Sequence, residues 1–220
     1  MNQAEIEQAR HNMIVQQVRP WDVLDAQVLE AMSQVPREAF VPERYRSLAF
    51  ADTNIPLGHK QVMMNPNVEG RLLQALAIRP EDEVLEIGTG SGYLTACLAR
   101  LGRHVTSMEI LPDLAAAAEA HLAGLSIDNV TLQTGDALVD IDPGRHYDVI
   151  AVTGSLPVLD QQFFSNLENG GRLFVITGPL PIMEARLVTR INANNWASES
   201  LFETCIPPLI NAPAPESFSF

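Results

Sequence analysis

Three acidic side chains and a glycine turn carry the chemistry legible in this sequence. The turn, Gly88-Thr89-Gly90-Ser91-Gly92, lies between the apolar run that ends at Ile87 and a helical pattern that begins at Tyr93. Glycines of this kind let a backbone approach a ligand, although they also serve simply to bring a helix against a strand. Glu109 ends the next strand-like run about twenty residues on, where an acid can accept both ribose hydroxyls of an adenosine. Asp136 follows Gly135 after the third run, at the carboxyl edge where open α/β sheets bind ligands. Its carboxylate suits an adenine amine, and the Ala137 amide could donate to the ring. Glu86 separates the candidate ligands. A pyrophosphate needs bare amides and a helix N-terminus, and a nearby carboxylate in a partly dry cleft repels it. An ammonium and a sulfonium are attracted instead. The expected cofactor is therefore S-adenosylmethionine and not a nicotinamide dinucleotide; the competing role for Glu86 is a cap on the following helix.

The rhythm of the chain supplies elements to hold these residues. Residues 3 to 18 and the stretch WDVLDAQVLEAMSQVP have helical spacing, with Asp25 placed to start the second helix and Pro36 to close it. ADTNIPLGHKQVMMNP is irregular, yet too apolar for an idle linker, and is expected to pack against the main domain as part of a site. From Glu83 onward strands alternate with helices: EVLEIG, HVTSMEI, NVTLQTGD, YDVIAVTG and GGRLFVITG are the strands. That alternation predicts α/β architecture, a Rossmann-like, doubly wound and mostly parallel sheet. EARLVTRI and ASESLFETCI, joined by NANNW, predict an antiparallel C-terminal hairpin, and PPLINAPAPESFSF reads as an extended strap or loose end. The expected organisation is an N-terminal helical cap with its loop over residues 1–66, the cofactor-binding core over 67–180, and the hairpin and tail over 181–220.

Composition narrows the class. The 220 residues are 46% hydrophobic and 19% charged, enough for a sizeable core. A net charge of −13 and the lack of a basic run argue against a nucleic-acid groove. The start has no secretory pattern and no apolar run has the length of a membrane span, so a cytoplasmic protein without a membrane anchor is expected. Cys97 and Cys205, far apart and flanked by apolar residues, are expected to be small core residues. His11, His104, His121 and His146 show no ligand spacing with them, so no metal site is predicted. His59 is expected at the surface, and Trp21 and Trp196 as packing anchors.

With these residues placed, the chain resembles the protein-L-isoaspartate O-methyltransferases through most of its length. VPREAFVPE, NIPLG, VLEIGTGSGY, the Gly135-Asp136 pair, VIAVTG and IPPLI are similar to that family's motifs. The resemblance implies that Glu86, Gly88, Thr89, Gly90, Ser91, Gly92, Tyr93, Glu109, Gly135, Asp136, Ala137 and Thr153 bind S-adenosylmethionine. It also implies that Gln61, Met63, Met64, Asn65, Pro66 and Ile206 meet the acceptor, the carboxylate of an isoaspartyl residue in a protein or peptide. The acceptor loop departs from the family pattern Gln-Thr-Ile-Ser-Gln-Pro. Here it reads Gln61-Val62-Met63-Met64-Asn65-Pro66, so the threonine and the active-site serine are lost. Ser155 is a possible substitute hydroxyl. Three activities follow: isoaspartyl methyl transfer, methyl transfer to a different acceptor such as a small molecule, or cofactor binding without turnover.

Overall fold

A computed structural model describes residues 2–159 and 162–213. Helix α1 (Gln3–Met13) begins in a reciprocal cap between Asn2 and Glu5, and a π-helical turn over Ile14–Val18 prolongs it. Helix α2 (Ala26–Gln34) starts at Asp25, whose carboxylate accepts from the amides of Gln27 and Val28. The stretch read as irregular contains a hairpin of β1 (Ile55–Gly58) and β2 (Gln61–Met63). His59 and Lys60 at its tip both have left-handed φ, 50° and 63°. That is the geometry of a two-residue primed turn, which Asn-Gly normally announces and His-Lys does not. Helix α3 (Pro66–Leu76) follows with proline in its first turn.

The alternating part of the chain comprises β3 (Glu83–Ile87), α4 (Tyr93–Leu101), β4 (His104–Glu109) and α5 (Pro112–Gly124). It continues through β5 (Val130–Thr134), the short α6 (Ala137–Asp140), β6 (Tyr147–Leu156) and the short α7 (Gln162–Ser165). Strands β7 (Leu167–Thr177), β8 (Met183–Asn192) and β9 (Asn195–Thr204) complete a seven-stranded sheet in the order β5-β4-β3-β6-β7-β8-β9. The first five neighbours are parallel, and β8 and β9 add antiparallel at the edge, as the sequence pattern predicts. The order reverses between β3 and β6, so a crevice opens beyond the carboxyl ends of these strands.

Alternation along the strands divides the core. Val84, Val105, Val149 and Ala151 pack towards α3, α4 and the N-terminal cap, while Leu85, Ile87, Met108, Ile150 and Val152 face Phe163 and Tyr147. Glu86 and Ser107 are register partners on the first of these faces, in the middle of the apolar layer. Cys97 is buried there, whereas Cys205 is exposed: β9 ends at Thr204, and the chain leaves the sheet before that thiol can be covered. Trp21 packs edge-on against Phe202 and Trp196 against Phe164, though both indoles keep about 40% of their surface in water. Part of the tail runs back along β6, where Ser155 N donates to Pro207 O and Leu209 N to Ser155 O. The reading made for residues 214–220 lies outside the described part of the chain.

One side chain ties the cap to the core. Arg37, fully buried, donates through Nη1 to Glu69 of α3, through Nε to the Ala49 carbonyl (2.9 Å) and through Nη2 to the Met64 carbonyl (2.6 Å). Its guanidinium also lies 4.6 Å from the Tyr93 ring centroid. Every polar direction of the fork is thus in use. Removing one member of a buried pair leaves the other uncompensated, so Arg37→Leu is expected to cost about 3–5 kcal/mol in urea unfolding. The double variant Arg37→Leu/Glu69→Leu should recover much of that loss, and a double variant as unstable as the single would contradict it.

Candidate functional site

The glycine turn is built by close approach. Gly88 leaves β3 at φ 93°, and its amide donates to Met108 O at 2.8 Å. A Cβ on Gly88 would lie 2.3 Å from the Thr153 hydroxyl oxygen, which is within hydrogen-bond distance of the Ile87 and Gly88 carbonyls. Gly92, at φ 86°, admits Ala118 of α5 against the start of α4, where a Cβ would come within 3.1 Å. Between them the Gly90 amide donates to Glu109 Oε2 at 2.8 Å, and Leu111 N donates to Glu109 Oε1 at 3.0 Å. Each oxygen keeps a lone pair for a ligand hydroxyl.

These groups border an open cleft at the β3/β6 crevice. Its walls include Gly88, Gly90, Glu109, Gly135, Asp136, Ala137 and Thr153 from the sequence-predicted set, together with Gln61. Two carboxylates and no lysine or arginine line it, among the described residues. A diphosphate would meet repulsion there, and a cation would not. Apolar cover comes from Ile87, Met108, Leu114 and Leu138, and from Leu57, Leu209 and Ile210, which lie in the quoted NIPLG and IPPLI segments but were not named as site residues. Asn211 Nδ2 donates to Asp136 Oδ2 at 2.8 Å, so the returning tail occupies one oxygen of the carboxylate expected to face an adenine. Asp136 Oδ1 accepts from Leu138 N as the cap of α6.

A second, smaller cavity of about 300 Å³ adjoins the cleft, sharing Leu57, Val62, Gly88, Gly90 and Thr153 as walls. Its remaining lining is Met63, Met64, Glu69, Thr89, Ser91 and Leu94. The hairpin that supplies Leu57, Val62 and Met63 is pinned to the start of α5 by His59 Nε2, 2.8 Å from Asp113 Oδ2. The His59 hydrogen bond holds the Asp113 carboxyl below the usual range. Asn65 faces away from the cavity, donating from its amide to Asn54 and from its side chain to Asp52. Pro66 begins α3, and Ile206 is a core residue whose carbonyl accepts from Ser155 Oγ at 3.1 Å. Ser155, expected as a substitute hydroxyl, is fully buried in that contact and is not on either cavity wall.

Glu86 is not on a cavity wall either, nor does it cap α4 through backbone amides. It is fully buried, with Oε2 accepting from Thr95 Oγ1 and from Ser107 Oγ (2.6 Å), and Oε1 has no partner among the described residues. Burial raises its carboxyl to about 8; the hydrogen bonds from Ser107 and Thr95 oppose the rise, and Glu109 and Glu69 add to it. Burial likewise raises Glu69 to about 7 against the pull of Arg37. Tyr93 is buried against Phe40 and beneath Arg37, and Gly92 against Ala118; neither reaches a cavity. Arg37 and Glu69 were not predicted as site residues, although Arg37 stands inside the quoted VPREAFVPE motif. Among the described residues no group of three or more His, Cys, Asp or Glu could hold a metal, and no helix is long and apolar enough to cross a membrane.

The geometry has counterparts. The family model for protein-L-isoaspartate(D-aspartate) O-methyltransferase matches residues 8–206. A protein-L-isoaspartate O-methyltransferase 1 of Rhodopseudomonas palustris is 41% identical over 203 residues, covering 91% of this chain and 82% of the relative. One from Methanoculleus marisnigri is 38% identical over 202 residues, 91% of each chain. The fold superimposes with a TM-score of 0.80 on a Plasmodium falciparum protein described as a protein-L-isoaspartate O-methyltransferase in complex with S-adenosyl-L-homocysteine. That match covers 91% of this chain and 98% of the other at 21% identity. The chain belongs to the protein-L-isoaspartate O-methyltransferase family.

The buried Glu86 gives stability a pH dependence with a definite sign. Its folded value of about 8 lies above the ordinary glutamate value of 4.5, so the folded state holds a proton that the unfolded state releases. Its contribution is undiminished below pH 4.5, declines as pH rises from there through about 8, and is constant above. The unfolding free energy of the intact chain minus that of Glu86→Gln, from urea titrations between pH 5 and pH 9, should therefore fall with pH. A difference independent of pH would show that the carboxyl is ionised throughout.

Proposed function

We propose that this member of the family transfers the methyl group of S-adenosylmethionine to the carboxylate of isoaspartyl residues in proteins. The observation that carries the reading is the pair of adjoining cavities: an acidic, cation-free cleft beside a compartment under the Met63-Met64 loop. Glu109 is placed for the ribose hydroxyls, Asp136 and the Ala137 region for the adenine, and the backbone at Gly88 and Gly90 for the groups between. When bound, the sulfonium supplies a methyl carbon already activated for in-line displacement. A carboxylate acceptor is nucleophilic at neutral pH, so this chain's residues need not remove a proton. Their work is to align the two partners across the shared wall of Leu57, Val62, Gly88, Gly90 and Thr153 and to exclude water. The family names of relatives that span most of the chain support the same acceptor.

A second reading keeps the methyl donor and changes the acceptor. It is favoured by Val62 and Met64, which put apolar side chains where the family pattern has hydroxyls, and by Ser155 being engaged elsewhere. Methionine neither donates nor strongly accepts a hydrogen bond, and it presents a soft apolar wall.

Two measurements test this. With labelled donor, the chain should form a methyl ester on an isoaspartyl peptide and none on the matching aspartyl peptide. Activity confined to small-molecule acceptors, unimproved on peptide by Met64→Ser, would establish the second reading instead. Glu109→Ala should raise the donor's dissociation constant about a hundredfold in calorimetry, because two charge-assisted hydrogen bonds of about 1.5 kcal/mol each are lost. An unchanged constant would remove Glu109 from the binding site.

A further inference from the structure

A file of three side chains leads from the buried Glu86 to the wall of the smaller cavity. Glu86 Oε2 lies 2.6 Å from Ser107 Oγ, and Ser107 Oγ lies 2.6 Å from Thr89 Oγ1. Thr89 is the end of the file that lines the cavity beside Met63, Met64 and Glu69. Parallel register holds the file in place: Glu86 and Ser107 are partners across β3 and β4, and Thr89 lies in the turn that continues β3. We propose that Thr89 supplies the hydroxyl that holds the acceptor carboxylate, and that Ser107 and Glu86 are positioning residues that set the direction of its O–H. The inference rests on the carboxylate acceptor proposed above.

The argument is a count of hydrogens. Each hydroxyl has one. When Glu86 is ionised, Ser107 donates to Oε2, so Thr89 must donate to Ser107. Thr89 then offers only lone pairs to the cavity, and these repel a carboxylate. The two bonds into Oε2 are those of the ionised carboxyl. When Glu86 carries a proton, Oε1 offers it no partner among the described residues, so it sits on Oε2 and is donated to Ser107. Thr95 keeps the remaining lone pair of that oxygen, and Ser107 donates to Thr89. The Thr89 hydrogen is then released towards the cavity, where it can bond the acceptor. No proton leaves the file during methyl transfer: the acceptor oxygen gains the methyl carbon, and the carbon–sulfur bonding pair returns to sulfur. The neutral ester that forms is a weaker acceptor for the same O–H than the carboxylate was.

The surroundings favour the productive sense. Glu109 on β4 and Glu69 on α3 both disfavour a charge on Glu86; Arg37 faces Glu69 and is fully used by it, Ala49 and Met64. On α4 the nearest polar group is the uncharged Thr95 hydroxyl, and β6 places Ala151 opposite Glu86. Burial holds the Glu86 carboxyl up to about 8, so the proton is present at neutral pH. The arrangement also supplies the acceptor compartment with a donor from the cofactor turn where Val62 and Met64 supply none.

The test compares pH profiles of kcat/KM on an isoaspartyl peptide with infrared spectra of the protein. The intact chain should lose activity about tenfold or more as pH rises through about 8, in step with loss of a protonated-carboxyl band. Glu86→Gln, which has no titrating group at this position, should lack both the alkaline fall and that band. Thr89→Val should lower kcat/KM about 10²-fold, by the measure of oxyanion-hole donors, and Thr89→Ser should restore it. A purely packing role would let valine match serine and would give no alkaline fall for Glu86→Gln to abolish. Persistence of the fall in Glu86→Gln, or equal activity of Thr89→Val and Thr89→Ser, overturns this inference alone. An intact chain that binds S-adenosylhomocysteine yet esterifies no isoaspartyl peptide overturns the acceptor assignment, and the inference with it.

Discussion

The parallel pairing of β3 with β4 is the constraint on which the site depends. Its register sets Glu86 beside Ser107 and brings Glu109 level with the glycine turn, where the Gly90 amide closes a 2.8 Å bond to that carboxylate. Side chains alternate between faces, so a slip of one residue would put Ser107 and Glu109 on the face opposite Glu86. The close contact between Gly88 and Thr153 then joins this pair to β6, across the point where strand order reverses. The larger cleft and the smaller cavity share that junction as a common wall.

The rest of the chain closes the junction from outside. The N-terminal cap reaches in through Arg37, whose fork grips Glu69 and the Ala49 and Met64 carbonyls and so holds the Met63-Met64 loop against α3. The hairpin of β1 and β2 lays Leu57 and Val62 across both cavities, and the tail returns to add Leu209 and Ile210. These covers exclude water from a site whose two carboxylates would otherwise be screened. The same dryness is what lifts Glu86 and Glu69 above ordinary carboxylate behaviour.

Hydroxyls are missing from the Val62-Met63-Met64 loop but not from the cavity it covers. Polar groups remain on the side of the compartment formed by the cofactor turn, where Thr89 and Ser91 stand opposite Met63 and Met64. The smaller cavity thus has an apolar loop face, a hydroxyl-bearing turn face and the Arg37-paired Glu69 between α3 and the cap.

Much of this was legible in the residues themselves. The alternating pattern from Glu83 identified the doubly wound sheet and its antiparallel edge, because strand and helix periods are local properties. The acids at positions 109 and 136, spaced from the glycine turn as the sequence reading expected, both line the cleft. Other features depended on contacts between distant segments. Glu86 has the right chemistry, but only the packing of α4 and β4 shows that it acts from the interior and not from the cleft wall. The hairpin tip at His59-Lys60 has no turn signature, since its positive φ values are imposed by pairing of the strands and not by residue preference. Cys205 resembled a core residue from its neighbours, yet the end of β9 leaves it exposed. Asn211 meets Asp136 across 75 residues of chain. Local sequence specifies propensity and charge; which of two faces a side chain takes, and what covers it, is decided when remote elements compete for the same apolar surface.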